Sequence, residues 1–476
     1  MNQAWVRGNA APPCPAGALR DKEAKTSRRR IATRSRALTA RHTELTVLLP
    51  VLNERENLSA LLPRLARVLG ELGCASEVLV VDGGSRDGTV EAAQGLGARV
   101  LVQREPGYGG ALREAFAAAA GQFLLTLDAD LSHDPDFIVK LWRARTSADV
   151  VIASRYVKGG VAYMPLGRKV LSRVLNRFFA IGLGLPVRDL SSGFRLYRAA
   201  VLADLDLHGR NFDILEEVLV KAYAQGWRVV EVPFTYYPRD RGASHARIVR
   251  FGLDLLRSFL RLWKLRSSIE SADYDERAFY SRIPLQRHWQ RRRHRIITAM
   301  ARGAGRTLDV GCGSSVILQS LNNAVGLDVL ANKLRYMRQY GVPLVRGSVT
   351  ALPVRDGRFD CVVCSQVIEH LPADPVIFDE LIRVLRPGGL LILGTPDYDT
   401  VGWRTIEPLY GVAAPGGYKD EHITHYTRAS LSELAARHGL EIVEHAYVYR
   451  SELIMAMRKP VRADTTRVSS PFVVAS

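Results

Sequence analysis

Short apolar runs separated by helix-like stretches organise most of the chain. "LTVLLPVL", "EVLVVDGG", "RVLVQRE", "FLLTLDAD" and "DVVIASR" follow one another from Glu44, with polar or glycine-rich turns between them. Such runs predict a mostly parallel sheet with helices on both faces. A second series follows residue 295: "TLDVGCG", "AVGLDV", "PLVRGS", "FDCVVCS" and "LLILGTP". The pattern thus predicts two α/β domains, at 44–247 and 296–460. A length of 476 residues also favours two domains over one.

The pattern changes between the two series. In 248–266 the residues Arg250, Asp254, Arg257, Arg261 and Lys264 recur at helical spacing, with Leu, Phe and Trp on the other faces. Two readings follow: a helix docked on its own domain, or one lying at a membrane surface. Residues 267–295 are polar and Arg-rich and read as a linker. Residues 1–43 are poor in large apolar side chains and read as a disordered basic tail, and 461–476 as a loose C-terminal tail.

Charge sharpens this picture. The net charge is +18, yet 1–43 hold ten Lys/Arg against two acids and 239–306 hold seventeen against six. The remainder is close to neutral, so the basicity sits in a tail and a connector. That disfavours nucleic acid, which calls for a basic stripe on a recognised binding fold. It suits contact with anionic lipid or phosphorylated substrates. The five cysteines are scattered and suggest no disulfide framework, which points to a reducing compartment. Cys361 and Cys364 fall within an apolar run that reads as a buried strand. No uncharged apolar run approaches the roughly 18 residues needed to span a bilayer. The expected location is therefore cytoplasmic, with peripheral contact at the inner face of the membrane.

The first series carries candidate chemistry at its strand ends. "LLPVLNERENL" ends at Pro50, Asn53 and Glu54. "VVDGGSRDGT" ends at Asp82, "PGYGGALREAF" brings Gly107, Gly109 and Gly110 to a helix start, and "LDADLSHDP" places Asp128 and Asp130 two residues apart. Strand ends of such sheets converge on one crevice. Paired carboxylates there are costly unless a cation joins them, and Mg²⁺ or Mn²⁺ with a diphosphate is the economical answer. Extended geometry would point both aspartates the same way.

These segments, with "SRYVKGG", "DLSSGFRLYR" and "EVPFTYYPRDRGASH", resemble the inverting family 2 glycosyltransferases of the polyprenol-phosphate mannosyltransferase branch, over about 45–265. The resemblance implies a GT-A domain that transfers a sugar, mannose or glucose, from a nucleotide-sugar to a polyprenyl phosphate or related glycan. It implies that Pro50, Asn53, Glu54 and Asp82 hold the nucleotide and that Asp128 and Asp130 ligate the metal. Arg155 would meet the acceptor phosphate with Arg173, and Glu217 and Arg241 would complete the donor pocket. Two positions depart from the pattern. Asp82-Gly83 replaces a paired aspartate, and His245 replaces a lysine that would stay charged. A lipid monophosphate needs cations rather than a strong base, whereas a sugar hydroxyl would need a carboxylate. Asp189 is the base candidate, and a helix N-cap is its alternative role.

In the second series "TLDVGCGSS" sets Asp309, Gly311 and Gly313 at a strand-to-helix turn, and Asp328 follows 19 residues later at the end of "AVGLDV". That is the place for a carboxylate binding ribose hydroxyls. With "FDCVVCSQVIEHL" and "LRPGGLLILGTPD", this stretch resembles class I S-adenosylmethionine-dependent methyltransferases of the UbiE/Coq3-like group, over about 296–458. The resemblance implies a Rossmann-like domain binding S-adenosylmethionine through these residues, Gln366 and His370. Ser315 stands in place of a third glycine, and Ser348 in place of an adenine-contacting acid. His370, His422 and His425 are candidate bases or cofactor-loop contacts, and the histidines alone do not form a metal-ligand set. The favoured reading is a bifunctional transferase. Its alternative is a membrane-associated glycosyltransferase whose second domain only binds or regulates.

Overall fold

The computed structural model describes residues 43–237, 248–413 and 422–461, without side chains for 248–256 and 408–413. The tails expected at 1–43 and 461–476 lie almost wholly outside the described residues, as do Arg241 and His245.

The first sheet takes in β1 (Leu45–Val51), β2 (Ser76–Asp82), β3 (Arg99–Val102), β4 (Phe123–Thr126), β5 (Val150–Ser154), β7 (Arg195–Arg198) and β8 (Val229–Pro233). Their order is β3-β2-β1-β4-β7-β5-β8. Only β7 runs antiparallel to its neighbours, β4 and β5. A two-stranded ribbon of β6 (Val161–Ala162) and β9 (Thr235–Tyr236) flanks it. Apolar side chains fill both faces. Along β1, Val47 and Leu49 pack with Leu58, Leu61 and Leu65 on one side, while Leu48 packs with Ala111, Leu112 and Ala115 on the other. This is the two-sided burial that a parallel sheet requires.

The second sheet takes in β10 (Thr307–Val310), β11 (Ala324–Asp328), β12 (Leu344–Arg346), β13 (Phe359–Ser365), β14 (Leu385–Pro396), β15 (Glu441–Val448) and β16 (Glu452–Arg458). The order is β12-β11-β10-β13-β14-β16-β15, with β16 antiparallel to both β14 and β15. Cys361 and Cys364 are fully buried free thiols on β13, as the apolar run implies.

The expected linker is structured. Helices Tyr274–Phe279 and Pro284–Met300 occupy most of it. The second helix runs on into the expected second domain, where Ile297 and Met300 are buried on the sheet, and its Trp289 packs beside them. Arg293 donates to Glu452 from Nε at 2.5 Å and Nη2 at 2.7 Å, and Trp289 Nε1 adds a bond at 2.8 Å. Polarity read along the sequence hid a helix in which Trp289 and Arg293 share a buried acid.

The helix Ile248–Ser267 is docked along its described side chains. Leu262 is buried, and Phe259 stacks on Phe178 at 5.0 Å. Arg266 is 1% exposed and forks onto Asp273, with both Nη–Oδ distances 2.6 Å. The two sheets also meet through a seam. Arg335 lies 3.7 Å over the Trp227 ring and donates to Gln225 O, and Asn332 Nδ2 donates to Ala224 O. Gly226 (φ 75°) sits where any Cβ would run into the Asn332 backbone.

Removing one partner of a buried pair strands the other charge. Arg266→Ala should therefore destabilise the first unit by about 3–5 kcal/mol. A chemical-denaturation midpoint unchanged from the parent would show that the pair contributes nothing.

Candidate active sites

β1 reaches Val51 opposite Asp82 of β2, and Leu127 N, just past β4, donates to Leu48 O at 3.2 Å. Pro50, Asn53, Glu54, Asp82 and Asp128 therefore meet at one sheet edge. Asn53 adopts φ 55°, a conformation that asparagine tolerates better than most residues. Its Oδ1 accepts from Arg86 N at 2.9 Å, and its own N–H donates to Ser85 Oγ at 2.8 Å, tying the two loops together. Glu54 N donates to Thr89 Oγ1 at 3.0 Å, and Glu54 Oε2 accepts from Asn57 at 2.6 Å. Asp82 is 2% exposed. Its Oδ2 accepts from Gly84 N at 2.9 Å and Ser85 N at 3.0 Å, while Oδ1 has no partner among the described residues. One aspartate thus both shapes its turn and offers a free oxygen, although Gly83 stands where a second acid was expected.

β4 ends at Thr126, so Asp128 and Asp130 lie in a bend rather than in extended chain. Leu131 at φ 61° completes the turn, and Asp130 Oδ1 accepts from Ser132 N at 3.1 Å and Oγ at 2.5 Å. Among the described residues no lysine or arginine pairs with Asp128; the basic neighbour is His133 Nδ1, 3.9 Å from Oδ2. His133 Nδ1 accepts from the Asp128 N–H at 3.2 Å, and burial lowers its pKa despite Asp128 and Asp130, so the ring is neutral. Asp128 therefore has no full countercharge among the described residues, which fits a divalent cation.

Tyr108, between the expected glycines, donates to Asp128 Oδ1 at 3.3 Å and stacks on Phe212 at 4.5 Å. Gly109 allows this approach, because a Cβ there would overlap the Gly209 carbonyl. Tyr108 and His133 were not singled out from the sequence, though both lie inside the quoted motifs.

Several expected roles change. Arg155 does not present an open fork to a phosphate: Nε and Nη2 hold Asp189 at 2.8 and 2.6 Å, and Nη2 also reaches Ser191. Asp189 is 0% exposed and bound on both oxygens, so it is neither a free base nor an N-cap. Arg155 and Asp189 together brace the pocket. Glu217 does not complete a donor pocket. It is fully buried, accepts from His208 N and Gly209 N at 2.9 and 2.6 Å, and pairs with Lys221 at 2.7 Å. Its helical neighbour Glu216 faces a cavity of about 190 Å³ with Ser191 and Asn176. Burial pushes the Glu216 carboxyl up to about 7. Adjacent helical positions point about 100° apart, which a doublet in sequence does not resolve. Arg173 does line a large cavity of about 1130 Å³, with Tyr156, Arg177, Arg188, Arg277 and Arg282. Asp273, the acid in that lining, is already held by Arg266.

The second site lies at the ends of β10, β11 and β13. Gly311 and Gly313 take φ 67° and 53°, and Ser315 caps the next helix by accepting from Ile317 N at 3.0 Å. A serine at that position is thus a helix cap. Asp309 is buried with Oδ2 unpartnered among the described residues, and burial, reinforced by Asp328, pushes it up to about 8. Asp328 accepts from Gly313 N and Leu330 N, both at 2.8 Å. Gln366 (φ 60°) leaves Nε2 buried and without a partner among the described residues. These orphaned polar atoms beside a glycine turn fit a polar cofactor such as S-adenosylmethionine. Ser348 bonds Thr350 and turns the loop. Asp275, from the expected linker, accepts from Ser314 N at 2.9 Å and from the buried Lys333 at 2.8 Å. Neither Asp275 nor Lys333 stands in a recognisable motif. His370 lies near His422, while His425 stacks on Tyr398 at 4.0 Å.

Comparisons with known proteins find relatives for both units. The profile "Glycosyl transferase family 2" matches residues 46–206, and "Methyltransferase domain" matches 308–393. The dolichol-phosphate mannosyltransferase of Pyrococcus furiosus is 36% identical over 236 residues, covering 48% of this chain and 66% of that protein. The polyprenol monophosphomannose synthase of Mycolicibacterium smegmatis is 34% identical over 231 residues, covering 43% of this chain and 82% of that one. A glucosyl-3-phosphoglycerate synthase from Mycobacterium tuberculosis, solved with Mn²⁺ and uridine diphosphate, is 20% identical with a TM-score of 0.38, covering 46% of this chain and 80% of that one. The chain is a transferase with a GT-A unit followed by a Rossmann-like methyltransferase unit, and it belongs to glycosyl transferase family 2.

Proposed function

We propose that the first unit transfers a hexose, mannose or glucose, from a nucleotide-sugar to a polyprenyl phosphate or related glycan with inversion. The observation carrying this reading is the Asp128–Asp130 bend beside the free Asp82 oxygen, with no lysine or arginine among the described residues paired to Asp128. Asp128 and Asp130 would hold Mg²⁺ or Mn²⁺, which supplies positive charge for the departing diphosphate. Asp82, Asn53 and Glu54 shape the nucleotide side. The arginine-lined cavity next to Tyr156 supports an anionic acceptor over a neutral one. Such an acceptor needs alignment rather than deprotonation, consistent with the locked Asp189.

No described helix is long and apolar enough to cross a membrane. Peripheral contact with an anionic inner leaflet is supported by helix Leu166–Gly182. There Leu166, Val170, Leu171, Val174 and Phe178 are exposed beside Arg168, Lys169 and Arg173. The second unit would bind S-adenosylmethionine, which supplies an electrophilic methyl group, and methylate a small-molecule or glycan acceptor. Asp328 would accept from the ribose hydroxyls, and Asp309 and Gln366 would supply polar contacts.

Three measurements test this. A screen of GDP-mannose, UDP-glucose and dTDP-sugars against a polyprenyl phosphate should give a glycosylated lipid by mass; no product with any donor refutes the acceptor class. Asp130→Ala should lower sugar transfer by about a hundredfold or more, the loss of several kcal/mol of charge stabilisation, and leave S-adenosylmethionine binding intact. Asp328→Ala should weaken S-adenosylmethionine binding by about tenfold to a hundredfold in calorimetry, without changing sugar transfer. Absence of binding in the parent chain would favour a regulatory second unit.

A further inference from the structure

A second cluster stands at the mouth of the methyltransferase sheet. Glu369, His370 and His422 each present one ligand atom, and these atoms lie within 4.8 Å of one another. The histidines alone made no ligand set in sequence; Glu369 completes it. Glu369 is fully buried, and neither carboxylate oxygen has a well-formed hydrogen bond among the described residues. Thr395 Oγ1 lies beside it and is a weak donor to the carboxylate. A buried carboxylate left in this state is expensive. The nearby cation is already taken, because Arg293 is bound to Glu452.

The chain builds this cluster rigidly. Glu369 and His370 sit on a one-turn helix, Ile368–His370, just past β13. Ile423 N and Thr424 N donate to Glu369 O at 2.8 and 3.1 Å, so backbone bonds fix the His422 segment against that turn. The His370 and His422 rings are 4.9 Å apart and inclined at 64°. Tyr398 Oη lies 2.6 Å from His422 Nδ1 and also donates to Glu407 at 3.2 Å. Trp403 stacks on the His422 ring at 5.9 Å. Histidines that ligate metals are typically oriented in this way through their second nitrogen.

We propose that Glu369, His370 and His422 form a divalent-cation site whose open positions take hydroxyl oxygens of the methyl acceptor. Two imidazoles and one carboxylate are the donor set of open, ligand-binding sites rather than closed structural ones. They suit Zn²⁺ or Co²⁺ better than Mg²⁺, which prefers oxygen ligands. The site is thus chemically unlike the all-oxygen pair Asp128 and Asp130. A hydroxyl drawn to the cation gives up its proton more readily, which favours an oxygen acceptor such as a sugar diol over a carbon one. The acceptor half of this inference rests on the methyl-transfer reading; the cation half does not.

The test uses the full, untagged chain carrying Asp130→Ala, so that the first cation site is silent. Apo protein is titrated with Co²⁺ and Zn²⁺ in the absence of methyl donor, with Co²⁺ absorption and bound-metal analysis as readouts. One equivalent with imidazole-type Co²⁺ bands is expected. Adding Glu369→Gln or His422→Ala should weaken it by more than about a hundredfold, and Tyr398→Phe by about tenfold to a hundredfold. Circular dichroism checks each fold, and the partly exposed His370→Asn serves if Glu369→Gln does not fold. No binding by the Asp130→Ala chain, or binding unchanged by the ligand substitutions, overturns the site. Cobalt binding without S-adenosylmethionine binding supports the site while refuting the methyl-transfer reading.

Discussion

The cost of burying carboxylates at the ends of parallel strands shapes both units. Asp82, Asp130, Asp309, Asp328 and Glu369 all sit there at 6% exposure or less. Each must find donors or cations or else be neutral. Asp82 and Asp328 use backbone N–H groups of nearby turns, and this dictates the glycine-rich sequences that supply them. Asp130 uses Ser132. Asp309 and Glu369 are compensated too weakly, and burial pushes both up to about 8. The sites are therefore the places where the fold leaves its electrostatics unfinished, and ligands complete them.

Much of this was legible in the residues. Short apolar runs and glycine turns specify strands and crossovers locally, so both sheets, the buried Cys361–Cys364 run and the strand-end acids Asp82, Asp128, Asp309 and Asp328 could be read from sequence. What could not be read was the choice of partner. Arg155 and Asp189 lie 34 residues apart and close a buried fork, which no local pattern announces. Glu217 and Glu216 are sequence neighbours with opposite fates, because helical rotation separates them. The Arg-rich stretch before the second sheet looked like linker because its arginines count as polar, yet Arg293 is nearly buried by its acid.

The arginines also divide the labour around the first site. Arg155 and Arg266 are bound to buried carboxylates and stiffen the walls. Arg173, Arg177, Arg188 and Arg282 line the large cavity and set its potential. Residues bound in forks give rigidity, and residues facing a cavity give field; composition alone shows only that both are positive.

The seam at Arg335, Trp227 and Gly226 has a kinetic meaning for two transferases on one chain. A flexible tether would let one site sample the other's product at millimolar effective concentration. A packed seam instead works as a spacer of fixed length. A product shared by the two units must then either leave and rebind or be long enough to reach across, as a lipid-linked or extended glycan is and a free sugar is not.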